Sequence, residues 1–127
     1  MTEQEFKKRT KRFALRVIRL VESLPKTPTA SVVGYQLLKA GTSVGANYRA
    51  ACRCKSAKDV IAKLGIVEEE TDESLFWMEL LIEAELVPEK RLMDLMREGD
   101  EILAMTVSSI KTLRKRRRKH PNPKSKI

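Results

Sequence analysis

Apolar Phe6, Phe13, Val17, Leu20 and Leu24 recur at helical spacing from Glu3 to Leu24, while Lys7, Lys8, Lys11, Arg12, Arg16 and Arg19 fill positions between them. One apolar face opposite a basic one predicts an amphipathic first helix. Pro25 and Pro28 stop it, and Thr29 is the expected cap of a second helix, about Ala30 to Cys54. The stripe of that helix is Val33, Leu37, Ala40, Val44, Asn47 and Ala51, with one polar member. Gly34, Gly41 and Gly45 are poor helix formers, each costing about 1 kcal/mol against Ala. Either the helix is broken there, or these glycines, with Ser43 and Ala46 near, make a small flank against which a neighbouring backbone can pack. A single unbroken helix is the preferred expectation.

Ser56-Ala57-Lys58-Asp59 resembles a capping box with Asp in place of Glu, and it opens a third helix, about Ala57 to Glu85. Val60, Leu64, Val67, Thr71, Ser74, Met78 and Leu81 alternate strictly by three and four, the seam of helices crossing at about 20°. From Leu75 to Ile82 only Glu79 is polar, so the apolar surface runs most of the way round. A helix of that kind needs cover on more than one side. The surplus marks Leu75, Phe76, Trp77 and Leu80 as an expected oligomer interface. Pro88 suits the first position of a fourth helix, whose Leu92, Leu95, Met96, Ile102, Leu103, Val107, Ile110 and Leu113 keep helical spacing to about Arg114.

Four helices joined by short links must fold back on one another. The expected fold is all-α: an antiparallel up-down-up-down four-helix bundle over residues 1–113, followed by a basic flexible C-terminal tail over residues 114–127. A chain of 127 residues is enough for one such domain. Its longest apolar runs fall short of a membrane span, and its first residues lack the apolar core of a signal peptide, so a cytoplasmic protein is expected.

The formal charge of +9 is unevenly placed. Residues 111–127 carry nine Lys/Arg and no acid, whereas residues 1–110 carry 17 of each sign. That neutral part is itself polarised, with 14 basic and 4 acidic side chains in residues 1–63 against 3 and 13 in residues 64–110. Basic clusters of this kind attract phosphate backbones. The candidate nucleic-acid contacts are Lys39, Arg49, Arg53, Lys55, Lys111, Arg114, Lys115, Arg116, Arg117, Arg118 and Lys119, with the basic first helix beside them.

Catalytic chemistry is hard to assemble from these residues. The only histidine, His120, lies in the tail, and the chain has no Gly-rich phosphate loop following a strand. Glu68, Glu69, Glu70, Asp72 and Glu73 could suggest a di-metal centre, but such centres in bundles also use Glu-x-x-His pairs. Cys52 and Cys54 stand two apart, where helical positions do not face each other, and are expected to remain unpaired. No enzyme activity, cofactor or metal is expected. Asn47 and Glu73 fall on or beside apolar stripes, where a polar group is costly without a hydrogen bond. A buried structural pairing of Asn47 with Glu73, helped by Thr71 or Ser43, is therefore expected to fix helix register.

Several of these residues carry a resemblance. Gln36-Leu37-Leu38, Thr42-Ser43-Val44-Gly45-Ala46-Asn47, the turn Ser56 to Lys58, and Glu73 followed by Phe76-Trp77 resemble the signature region of the 23S ribosomal RNA intervening-sequence family of bacterial four-helix proteins. Lys39 stands where that family usually has Arg, and Ala50 where it commonly has Glu. The resemblance implies a four-helix fold, homopentamers as formed by related members, and no established enzymatic activity. It also implies kinship with the accessory proteins of diversity-generating retroelements, basic pentameric barrels that bind nucleic acid and a reverse transcriptase.

Two functional readings remain. One is an oligomeric accessory protein that binds nucleic acid, RNA above all, through the tail and helices 1 and 2. The other is a structural or protein-interaction module whose tail is solvated or docks on the acidic helices of a neighbour.

Overall fold

The computed structural model describes residues 1–119, and four helices make up its regular structure: α1 Glu3–Glu22, α2 Pro28–Cys52, α3 Ala57–Glu83 and α4 Glu89–Lys119. Among the described residues there is no strand. Three of the starts are fixed by side-chain caps. Thr2 accepts from the Glu5 N–H while the Glu5 carboxylate accepts from the Thr2 N–H, a reciprocal capping box. Thr27, rather than the expected Thr29, caps α2 by accepting from the Ala30 N–H, because Pro28 takes the first helical position. Ser56 caps α3 through the Asp59 N–H at 3.1 Å, as its sequence suggests.

α2 is one unbroken helix through all three of its glycines, and each glycine is a notch for α1. A Cβ at Gly34 would lie 2.9 Å from Leu24 Cδ1, and one at Gly41 would lie 2.8 Å from both Val17 γ carbons. At Gly45 it would only touch the backbone of Thr10, at 3.4 Å, so there it is a larger side chain that α1 leaves no room for. The partners on α1 descend as α2 ascends, so these two helices run antiparallel. Each helix packs chiefly on its neighbours in sequence, which is compatible with the expected up-down course.

Phe13, Val17, Leu37, Val44, Val67, Met78, Leu81, Leu92 and Ile102 are buried in one core. Thr10, Thr71, Ser74 and Thr106 are buried with them, and each hydroxyl donates to the carbonyl four residues back in its own helix, at 2.7–3.0 Å. A buried hydroxyl without such a partner would be costly.

Four further expectations need correction. Leu75 is no part of an outer face: it is buried, and its Cδ2 sits 2.9 Å from where a Gly99 Cβ would be. An apolar stretch with almost no polar member gives no phase to separate inward from outward positions. The Asn47–Glu73 pairing does not form, because Glu73 is exposed and the Asn47 amide donates instead to the Ser43 carbonyl at 2.9 Å. α3 ends at Glu83, and Ala84 and Glu85 form the turn. Finally, α4 continues past Arg114 to Lys119, so the first part of the expected tail is helical. Arg and Lys are good helix formers, and cations are favoured at the negative end of the helix dipole. The remainder of that tail, residues 120–127, lies outside the described residues.

Candidate nucleic-acid interface

The notch at Gly45 that brings α1 close to α2 also shapes a surface groove of about 840 Å³ between them. Its floor is built from small side chains, Ala14, Ala46 and Ala50, and its walls carry Lys7, Lys8, Lys11, Arg49 and Arg53. Five cations converge there and no carboxylate lines the groove. Ala50 has a direct part in this. It places only a methyl group on the groove floor, so no carboxylate there offsets the cations.

Arg49 and Arg53 are thus brought together as expected, and both are exposed. Lys55 is exposed in the turn just beyond α2. Lys39 is exposed but stands apart from the groove, close enough to the acidic run of α3 to offset part of the rise in the Glu70 pKa. That rise comes first from burial and then from Glu73 and Glu69. Lys111 and Arg114 to Lys119 are exposed on α4, whose last buried residue is Ile110. The six residues from Arg114 onward extend the helix by about 9 Å at 1.5 Å per residue. Lys7, Lys8 and Lys11 are the groove residues least visible in the sequence. They read as the polar face of a helix, and nothing local says which other helix they will face.

A second cavity, of about 590 Å³, opens where the first turn of α1, the end of α2, the start of α3 and the last turns of α4 approach one another. Phe6 and Tyr48 meet there edge to face, with ring centroids 4.6 Å apart. Burial raises the Tyr48 phenol pKa well above its ordinary value, with Cys52 and Glu3 adding to it. Burial likewise raises the Cys52 thiol. Cys52 and Cys54 are both free. Among the described residues no group of three His, Cys, Asp or Glu side chains is arranged to hold a metal ion, and no helix is long and apolar enough to cross a membrane.

The expected interface residues divide. Phe76 is exposed and Trp77 and Leu80 are half-buried, with the Phe76 and Trp77 rings 5.0 Å apart. The Trp77 Nε1 is buried and makes no hydrogen bond among the described residues.

The sequence profile of the 23S rRNA-intervening sequence protein family matches residues 2–108, almost the whole bundle. The chain belongs to this family. Family membership is supported by a crystal structure of a protein of unknown function from the S23 ribosomal protein family of Bacteroides thetaiotaomicron VPI-5482, which superposes with a TM-score of 0.81. It is 33% identical to this chain, and the match covers 87% of this chain and 99% of that one. No curated protein matches significantly. The family profile ends at residue 108, so the basic extension of α4 lies beyond the matched segment.

Proposed function

We propose that this member of the intervening-sequence family is a non-enzymatic, oligomeric accessory protein that binds nucleic acid, with structured RNA as its main ligand. The observation that carries the reading is the acid-free α1/α2 groove with its five cations, reinforced by the exposed cations of the α4 extension. Contacts of this kind go to phosphate, so they position a strand without reading its sequence. The antiparallel up-down-up-down bundle, its basic tail and a cytoplasmic location belong to the same reading. So does assembly into a homo-oligomer through Phe76, Trp77 and Leu80, pentameric by resemblance to related members. Kinship with retroelement accessory proteins adds a reverse transcriptase as a partner to test.

Fluorescence anisotropy with labelled RNA tests the reading. If the five groove cations each neutralise one phosphate of a single strand, affinity falls about a hundredfold between roughly 50 and 200 mM salt. Arg49→Glu with Arg53→Glu should weaken binding strongly, and removal of residues 114–127 should weaken it further. Absence of binding at low salt, or binding indifferent to both changes, would sink the proposal.

The protein-interaction alternative has its own observation. A groove of about 510 Å³ between α3 and α4 is lined by four acids, Glu79, Glu83, Glu89 and Asp100, against one cation, Arg97, over Ile82, Met93 and Met96, a balance that suits a basic apolar segment. Capture of a basic peptide with no RNA binding would favour that reading.

A further inference from the structure

The basic groove and the end cavity meet at the C-terminal end of α2, where Cys54 borders both. Their linings differ in kind. The groove offers cations above a floor of small residues, whereas the cavity sets apolar Phe6, Leu64 and Met105 among polar groups, the carboxylate of Glu3 included. Hydroxyls of Tyr48, Ser109 and Thr112 also line it, and Arg116 lies at the edge nearest the α4 extension. A concave apolar site with a few convergent polar groups is the usual form of a small-ligand pocket. Placed next to a phosphate-binding groove, it matches the two needs of one nucleotide, whose charged backbone and flat apolar base require different surroundings.

We infer that the end cavity accepts an unpaired nucleobase from the strand whose backbone lies along the α1/α2 groove, so that the protein prefers nucleic acid with unstacked bases over perfect duplex. This rests on the nucleic-acid reading of the groove. Single-strand binders combine a basic track with aromatic side chains, and RNA is read mainly where bases can splay out. The half-buried Tyr48 ring supplies the aromatic wall, backed edge to face by the buried Phe6, and its phenol, protonated at neutral pH, is a hydrogen-bond donor. Ser109 and Thr112 present donors and acceptors toward a base edge. Duplex bases are held in the stack and cannot reach the cavity, so a duplex engages the groove alone.

The experiment compares a short labelled RNA as a single strand and annealed to its complement, at one low salt concentration, by anisotropy. Ser109 is exposed at the cavity mouth, so Ser109→Trp fills the cavity without disturbing the core. Tyr48→Leu removes the aromatic wall. The unmodified protein should bind the single strand about tenfold more tightly than the duplex, toward the low end of what stacking one base contributes. Both variants should bring single-strand affinity down to the duplex value and leave duplex affinity unchanged. Equal binding of both forms by the unmodified protein overturns the base pocket while the groove reading stands. A single-strand preference that survives Ser109→Trp also overturns it. If neither form binds, both readings fall together.

Discussion

Arg9 and Glu98 join α1 to α4 through a two-pronged ion pair, Nε to Oε2 and Nη2 to Oε1, each at 2.8 Å. The same guanidinium reaches Glu101 at 2.9 Å. α1 and α4 are the least intimately packed adjacent helices, and among the described residues Arg9 makes the only ion pairs between helices. The clamp sits where direct packing is thinnest. Hydrogen bonding to Arg9 holds the Glu98 carboxyl below the ordinary glutamate pKa, against the opposing effect of burial. Its stabilisation is therefore complete above the unfolded glutamate pKa and is lost as pH falls through the lower folded value. Glu98→Ala should cost about 1–3 kcal/mol at neutral pH. In urea titrations the gap between variant and parent should narrow as the pH is lowered past that window. A gap that stays constant with pH would remove the clamp from the account.

The glycines of the bundle should respond oppositely to the same substitution. Gly41→Ala sets a methyl group against both γ carbons of Val17 in a closed core and should destabilise by about 1–3 kcal/mol. Gly65 has nothing within 4 Å of its Cβ position, so Gly65→Ala should gain about 1 kcal/mol from helix propensity alone. Thermal melts of the pair decide it, and a Gly41→Ala protein as stable as the parent would contradict the notch.

The turn after α3 carries a residue in the wrong conformation for its type. Glu85 has φ of 60°. The Leu86 N–H bonds back to the Leu81 carbonyl and the Glu85 N–H to that of Ile82, the paired bonds of a Schellman ending. That position favours glycine, and a side chain there costs about 1–2 kcal/mol. Glu85→Gly should therefore raise stability by about 1 kcal/mol. Chemical denaturation showing a loss would count against the geometry of this turn.

Phe76 is 48% exposed beside the half-buried Trp77 and Leu80. If the proposed oligomer forms through this face, the parent should scatter light as an oligomer and Phe76→Glu should reduce that mass to the monomer's while leaving the helical circular dichroism intact. A monomeric parent, or an oligomer unchanged by the substitution, would count against this interface.

Much of the fold is legible in residue spacing. The strict alternation from Val60 to Leu81 marks the inner face of α3, and Leu64, Val67, Thr71, Ser74, Met78 and Leu81 are all buried there. The capping residue Ser56 is equally local. What escapes is decided by distant parts of the chain. Arg9 looks like one more cation on a basic helix until α4 brings Glu98 to it. Asn47 looks like a cross-helix partner, yet its amide turns back to its own helix. The basic groove is half visible for the same reason. Arg49 and Arg53 share one face by spacing, whereas Lys7, Lys8 and Lys11 join them only once α1 and α2 are packed.

The notches along α2 also set a vernier for charge. The buried hydroxyls bond within their own helices, so they do nothing to stop α1 from sliding lengthwise against α2. The positions where side chains are missing, together with apolar contacts such as Phe6 on Tyr48, hold the two helices in phase. A bulkier residue at Gly41 or Gly45 that displaced α1 along its axis would carry Lys7, Lys8 and Lys11 with it, out of step with Arg49 and Arg53. On the proposed nucleic-acid reading, the distances between these cations, which would have to match the repeat of a phosphate backbone, are thus set by uncharged residues in the packing between the helices. A loss of nucleic-acid affinity could be inherited through a change that touches no charge.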